Sequence, residues 1–150
     1  MKLLQINFVR KFIFYSLLCF YGVIAYWVLW PYEPIVIKEP MKIINQNKTV
    51  KAGGTLVYEM DFVKNMPLPG IITKQFIDGV VVTCAPIIGN IKVGHTVKNF
   101  PAKVPGFMNS GLTVMKWSAT YKVNPIRWVT VVAWSEPFYV LNEQPDKEDN

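Results

Sequence analysis

Hydrophobic positions divide the chain into one continuous apolar run and a longer region in which apolar and polar residues alternate. The run covers residues 12–30 and contains no charged side chain. As a helix with a rise of ~1.5 Å per residue it would be about 28 Å long, close to the hydrocarbon thickness of a bilayer. The pattern predicts a transmembrane helix at residues 12–30, preceded by a short N-terminal segment, residues 1–11.

The C-terminal end of this run carries the residues that stop a membrane helix. Pro31 and Pro34 cannot continue the helical hydrogen bonds. Bulky residues before them leave no small-residue cleavage site, so a retained anchor is favoured over a cleaved signal peptide. Aromatic side chains with a polar edge concentrate at the lipid headgroups. The four candidates for this membrane-interface position are Tyr26, Trp27, Trp30 and Tyr32.

The charges that flank the run indicate its orientation. Lys2, Arg10 and Lys11 precede it, and positive residues beside a membrane helix are retained on the cytoplasmic side. Lysines beyond the run oppose this orientation, but neighbouring glutamates offset them. We therefore expect a single-pass membrane protein with a cytoplasmic N-terminus and a periplasmic or extracellular C-terminal domain.

Residues 31–40 are rich in proline, which predicts a semi-stiff stalk or a first edge strand. From residue 41 onward, apolar residues recur with a period near two, as in strands with one buried face. In "GTLVYEMDFVKN" the residues Leu56, Tyr58, Met60 and Phe62 would share that face. Asp78-Gly79, between two β-branched runs, predicts a hairpin. Residues 127–140 are almost continuously apolar, which predicts a central strand.

About seven or eight such strands fit within residues 41–141, a number typical of an immunoglobulin-like antiparallel β-sandwich. A small barrel is the alternative. Trp117 is the candidate for a buried core tryptophan. We expect an all-β ectodomain after one N-terminal transmembrane helix, followed by an acidic disordered tail at residues 142–150.

Charge and cysteine content exclude some partners and cross-links. The formal net charge is +6, but the lysines are scattered singly, whereas phosphate binding needs clustered cations, so no nucleic acid partner is predicted. Cys19 lies in the apolar run and Cys84 in the strand region. A disulfide between them would have to join the anchor to the folded domain, and we exclude it on geometry. Cys84 is expected to be a small buried residue.

Residues for catalysis or metal binding are sparse. His95 is the one histidine of the chain, so a copper site lacks its second histidine and a serine nucleophile has no other imidazole base. Glu59 and Asp61 share a strand face and could bind a cation, although a solvated face has the same spacing. The sequence therefore predicts no catalytic residue, no metal and no cofactor. An enzyme that uses Glu59, Asp61 and His95 is the least favoured alternative.

Residues 101–140, "PAKVPGFMNSGLTVMKWSATYKVNPIRWVTVVAWSEPFYV", resemble the last two strands of immunoglobulin-like proteins encoded in phage and prophage genomes. In that group a P-x-G turn precedes a long strand ending in Tyr, then Asn-Pro, then a strand ending in Ser-x-Pro-Phe. The resemblance implies a small interaction or accessory domain at the host envelope. The matching positions are Tyr121, Asn124, Pro125, Ser135, Pro137 and Phe138.

Together these features predict a membrane-anchored binding or adaptor protein whose partners are the lipid bilayer and another protein. The candidate interaction loop is "NFPAKVPGFMNSG", because it is long, proline-rich and aromatic. The alternative is a structural subunit of a membrane or virion assembly, whose helix would pack through Gly22 and Ala25. The candidate contact residues of the loop are Phe100, Pro101, Pro105, Phe107 and Met108.

Overall fold

The computed structural model describes residues 2–142, with side chains from Val9 onward. Within this range one α-helix, α1 (Lys2–Leu29), precedes a region of strands, in which a short 3-10 turn spans Gln46–Lys48. The predicted acidic tail lies outside the described residues except for Asn142. The strands are β1 (Ile35–Ile37), β2 (Lys42–Ile43), β3 (Thr49–Lys51), β4 (Thr55–Lys64), β5 (Gly70–Ile77), β6 (Val81–Thr83), β7 (Ile87–Gly89), β8 (Gly94–Lys103), β9 (Gly111–Asn124), β10 (Arg127–Trp134) and β11 (Phe138–Leu141).

The helix α1 confirms the predicted apolar helix and begins earlier than residue 12. By length and composition its segment Val9–Leu29 is able to cross a membrane, and none of its side chains is buried. Apolar side chains surround the segment on all sides, so it lacks the single apolar face of a helix that packs on a soluble core. It ends at Leu29, just before the helix-stopping Pro31.

The smaller of two sheets is centred on β4. The strand β8 pairs antiparallel with β4 along its whole length, from Thr55 opposite Lys103 to Lys64 opposite Gly94. The strands β1 and β2 share the other edge of β4, both antiparallel. The proline-rich segment 31–40 therefore contains a first edge strand, β1.

The larger sheet is centred on β9. The strand β5 pairs antiparallel with one edge of β9, while β10 and β11 share the other edge. β3 pairs parallel with β11, and β6 and β7 lie along the outer edge of β5. The hairpin predicted at Asp78-Gly79 is confirmed as the β5–β6 turn, where Ile77 pairs with Val81 and Gly79 has φ +100°.

Alternate residues of both sheets form one hydrophobic core. On β4 the buried set is the predicted one, and Trp117 on β9 is 3% exposed. This confirms the predicted inner faces, since successive side chains of a strand point to opposite sides. The buried core residues of these two strands are Leu56, Tyr58, Met60 and Phe62 on β4, and Met115, Trp117, Ala119 and Tyr121 on β9.

Lys64 continues the inward alternation of β4, so a charged side chain is buried at the end of the strand. Its Nζ donates to the carbonyl oxygen of Ile91 at 2.7 Å and lies 6.0 Å from the ring centroid of Tyr121. Burial lowers the pKa of Lys64 because the charged form loses its hydration. The hydrogen bond ties the β7–β8 connection to the end of β4.

After β1 the chain crosses from the smaller sheet to the larger one. The N–H of Met41 donates to the carbonyl oxygen of Trp134 at 3.0 Å, and the carbonyl of Met41 accepts the N–H of Glu136 at 2.9 Å. Met41 is fully buried. The crossing therefore links the two sheets along this side of the core.

Ser135 completes the larger sheet where β10 leaves β9. Its N–H donates to the carbonyl of Met115 at 2.9 Å, and its Oγ accepts the N–H of Met115 at 2.8 Å. The same Oγ donates to the carbonyl of Glu136 at 2.8 Å. The hydroxyl thus takes the place of a backbone carbonyl, which gives a structural reason for the serine of the Ser-x-Pro-Phe motif.

We expect Ser135→Ala to lower the free energy of unfolding by about 1–3 kcal/mol, because the buried N–H of Met115 loses its acceptor. Urea unfolding of the full-length protein in detergent measures this loss. Ser135→Thr keeps the hydroxyl and is the control, and it should recover most of the stability. An alanine variant as stable as the wild type would contradict this role of the hydroxyl.

The last turn of α1 is hydrogen-bonded to the turn between β9 and β10. Arg127 Nη1 donates to the carbonyl oxygens of Val28 at 2.6 Å and Trp30 at 2.8 Å, and Asn124 Nδ2 donates to that of Trp27 at 2.9 Å. The final carbonyls of a helix have no helical partner and carry partial negative charge, so a cation is favoured there. We call these contacts the helix–domain junction.

The junction defines two ends of the strand region. At the helix-proximal end, the N–H of Asn65 donates to the carbonyl of Pro34 at 3.0 Å. The strand registers place the connections 65–69, 90–93 and 125–126 at this end. They place the connections 78–80 and 104–110 at the far ends of the same strands.

Candidate functional site

The five residues of the predicted interaction loop do not share one surface. Phe100 and Pro101 belong to β8, and the Phe100 ring stacks on Tyr58 with centroids 5.9 Å apart. In the connection 104–110, Met108 is buried and Pro105 is half-buried, whereas Phe107 is exposed. Because β8 pairs fully with β4, the loop is shorter than predicted, and binding by Phe107 stays a prediction.

The four predicted membrane-interface aromatics lie around the end of α1. The rings of Tyr26 and Trp30 contact each other with centroids 5.1 Å apart, and the Arg127 guanidinium lies 5.5 Å from the ring centroid of Tyr32. Trp27 is half-buried beside the junction. Their placement at lipid headgroups stays a prediction.

Of the candidate residues Glu59, Asp61 and His95, the last two form a pair at the surface. Asp61 Oδ1 and His95 Nε2 lie 2.8 Å apart on neighbouring strands, and the histidine side chain is 60% exposed. Glu59 lies on the same outer face of β4. Among residues 9–142 there is no group of three or more His, Cys, Asp or Glu side chains able to hold a metal ion. The pair is a solvent-screened surface contact.

A small cavity lies where the two sheets meet beside β5. It has a volume of about 50 Å³ and is lined by Lys74, Tyr58 and Trp117 among other residues. Lys74 Nζ donates to the carbonyl of Pro101 at 2.8 Å and so links β5 to β8. Burial lowers the pKa of Lys74. Burial also raises the pKa of the free thiol of Cys84, and the positive charge of Lys74 partly offsets this increase. The cavity is far smaller than the ~300 Å³ of small-ligand sites.

The predicted central strand at residues 127–140 is two strands in the structure. β11 lies between β3 and β9, whereas β10 is an edge strand within the described chain, which corrects the prediction for residues 127–134. The carbonyl of Trp134 points away from β9, since it accepts the N–H of Met41. In an antiparallel strand the main-chain groups of alternate residues point to the same side. The N–H and C=O groups of Thr130 and Val132 therefore point to the open side, where no residue in the range 2–142 hydrogen-bonds them.

An open groove of about 260 Å³ runs beside this edge. One wall is the β1–β2 crossing, residues 37–40, and the other is the end of β10, residues 132–134. The walls combine apolar side chains with Lys38 and Glu39. Open main-chain groups beside a shallow groove suit an extended peptide better than a compact small molecule.

The side chains of β10 alternate between the core side and solvent. Val132 is 42% exposed and Trp134 is 48% exposed. Lys116, opposite Trp134 on β9, places its Nζ 5.7 Å from the Trp134 ring centroid. A cation over an indole face is attracted to it, so the exposed ring has a preferred position. We call Thr130, Val132, Trp134 and the groove beside them the β10 edge site.

The β10 edge site was not predicted from the sequence, although the sequence contains a signal for it. Trp128, Thr130, Val132 and Trp134 alternate with Val129, Val131 and Ala133. Both sets contain large apolar residues, which is why the strand resembled one buried on both faces. Only the pairing of β10 shows that one set faces solvent. No protein-family model matches this chain, and a comparison with curated proteins gives no match.

Proposed function

We propose that this is a single-pass membrane protein whose immunoglobulin-like domain, on the outer side of the membrane, binds an extended segment of a partner protein at the β10 edge site. The observation that carries the proposal is the open main chain at Thr130 and Val132 beside the exposed ring of Trp134. Strand addition at such an edge provides main-chain hydrogen bonds for affinity and side-chain contacts for specificity.

The strand order supports the immunoglobulin-like part of the proposal. In that fold, strands A, B and E lie in one sheet and strands C, F and G in the other. Here β1 with β2, β4 and β8 have the order A-B-E, and β5, β9 and β10 have the order C-F-G. The chain departs from antibody domains because β4 and β9 contain no cysteine and Trp117 lies on the F-like strand.

The exposure of α1 around its circumference supports the anchor. Lys2, Arg10 and Lys11, near the start of the helix, support a cytoplasmic N-terminus. An anchor confines the domain to a surface and so raises its effective concentration toward partners there. The resemblance of residues 101–140 to phage-encoded domains supports a host-envelope or virion protein as the partner.

The partner segment should carry apolar side chains at alternate positions, to lie against Val132 and the ring of Trp134. A carboxylate at its end would meet Lys116 and Lys38, both on the rim of the site. Lys116 is held over the indole, and Lys38 is exposed. These contacts predict an extended, mildly acidic peptide.

Val132→Pro tests the site because proline removes one outward N–H yet is tolerated in an edge strand. The tagged full-length protein is purified from host membranes in mild detergent, and the bound proteins are quantified by mass spectrometry. We expect the proline variant to lose its partner at least tenfold, since a lost hydrogen bond and a ring in the path of the guest strand together exceed about 1.4 kcal/mol.

The matched control is Val132→Thr, which keeps both the N–H and the branched shape. It should retain the partner, and thermal unfolding should show that both variants are folded. Equal recovery of one defined partner by wild type and Val132→Pro would place binding elsewhere. Recovery of no defined partner by the wild type would count against the binding function itself.

A further inference from the structure

If α1 spans the membrane as proposed, the helix–domain junction sets the height of the β9–β10 turn above the membrane. This inference therefore rests on the proposed span of α1. The uncharged part of α1, residues 12–29, is about 27 Å long as a helix, close to the hydrocarbon thickness. Its last carbonyls therefore lie where the hydrocarbon meets the headgroups. Arg127 and Asn124 bind those carbonyls directly, so the turn lies within the headgroup layer, which is about 5–7 Å thick.

The turn exposes the residues that such a layer favours. Ile126 is 57% exposed and Trp128 is 54% exposed. Lys122, opposite Trp128 on β9, places its Nζ 5.8 Å from the Trp128 ring centroid. An indole and an aliphatic side chain beside lysine and arginine match the interfacial composition of membrane proteins.

The helix-proximal end of the domain is predominantly positive. The segments 65–69, 90–93 and 122–128 contain Lys92, Lys122 and Arg127 and no aspartate or glutamate. Glu33 is the acidic residue of the connection that leaves α1. The surface is thus complementary to anionic lipid. Each cation near such a lipid surface strengthens the binding equilibrium about fivefold.

We infer that the β9–β10 turn is a second membrane contact, in which Ile126 and Trp128 enter the headgroup layer while Lys122 and Arg127 bind the phosphates of anionic phospholipids. This contact and the junction together fix the orientation of the domain. Because β10 runs from the turn away from the membrane, the β10 edge site then lies above the bilayer surface.

Nitroxide labels on the full-length protein in lipid nanodiscs test this contact. In a Cys19→Ala, Cys84→Ala background, Ile126→Cys carries the label, and Phe107→Cys labels an exposed residue at the far end of the domain. Collision with a water-soluble nickel chelate reports exposure to water. We expect severalfold fewer collisions at 126 than at 107 in discs containing phosphatidylglycerol, and a smaller difference in phosphatidylcholine alone.

The matched lysines of β9 separate lipid binding from general charge effects. Lys122→Gln should reduce the ratio of docked to undocked domains about fivefold, the contribution of one cation near an anionic surface. Lys116→Gln removes the same charge and the same kind of indole contact at a position farther from the helix. It should leave the collision rate of the label at 126 unchanged. Hydrogen exchange of the unsubstituted protein, with slower exchange at residues 124–128 on anionic discs, gives a readout without any variant.

A label on the natural Cys19, in a Cys84→Ala background, tests the span separately. A shielded label at 19 with a fully water-exposed label at 126 would overturn the lipid contact and leave the anchor intact. A water-exposed label at 19 would overturn the span and this inference together. Shielding at 126 that is equal in both lipids, with spin–spin broadening, would assign the surface to a second copy of the chain instead.

Discussion

Replacing the buried Trp117 with alanine is expected to lower the free energy of unfolding by about 3–5 kcal/mol. The side chain is 3% exposed and belongs to the core cluster formed by both sheets. Its truncation removes apolar contacts and leaves a cavity that the surrounding strands cannot fully close. Since domains of this size are stable by only about 5–15 kcal/mol, the variant should be close to unfolding at room temperature.

Trp134→Ala is the matched control, because it makes the same change at a side chain that is 48% exposed. It loses a contact with Lys116 and should cost less than about 1 kcal/mol. Urea unfolding of both full-length variants in detergent, followed by circular dichroism of the strands, measures the difference. Equal midpoints for the two variants would contradict the placement of Trp117 in the core.

The second large effect is expected from charges placed within α1. Leu18→Arg combined with Val23→Arg introduces two guanidinium groups near the middle of the segment Val9–Leu29. Each costs about 2.5–3.5 kcal/mol at the centre of a membrane helix, so the pair opposes insertion by roughly 5–7 kcal/mol. We expect the doubly charged variant to leave the membrane fraction when membranes are extracted with alkaline carbonate.

Leu18→Ala combined with Val23→Ala is the control, since it shortens the same side chains without adding charge. It should remain in the membrane pellet together with the wild type. A charged variant that resists extraction as well as the control does would show that α1 is not the element that holds the protein in the membrane.

Much of the strand region could be predicted from local patterns. Leu56, Tyr58, Met60 and Phe62 are buried as their period-two spacing predicts, because alternation along a strand is a property of the backbone itself. The turn at Asp78-Gly79 could be predicted equally well, since glycine adopts a positive φ without the steric cost of a side chain.

The candidate binding surface could not be predicted in the same way. The sequence favoured a loop around Phe100 and Pro101, but β8 pairs these residues with β4, a contact between residues far apart in the chain. It also favoured a central position for β10, because large apolar residues occur on both faces of this edge strand, although one of its faces is exposed to solvent. Pairing is a long-range property, and apolar composition alone does not specify it.

By itself the sequence determined the apolar helix, the strand periodicity, the buried faces of β4 and β9 and the turn at Asp78-Gly79, all of which depend on neighbours within a few positions. The tertiary structure alone decided that β10 has an open edge, that Lys64 is buried with a carbonyl partner, and that Arg127 caps α1. The residues of that cap lie 99 positions apart, Val28 and Arg127. Only the folding of the complete sheet brings the cation to the helix carbonyls, because their attraction acts over a few ångströms and leaves no periodic trace in the chain.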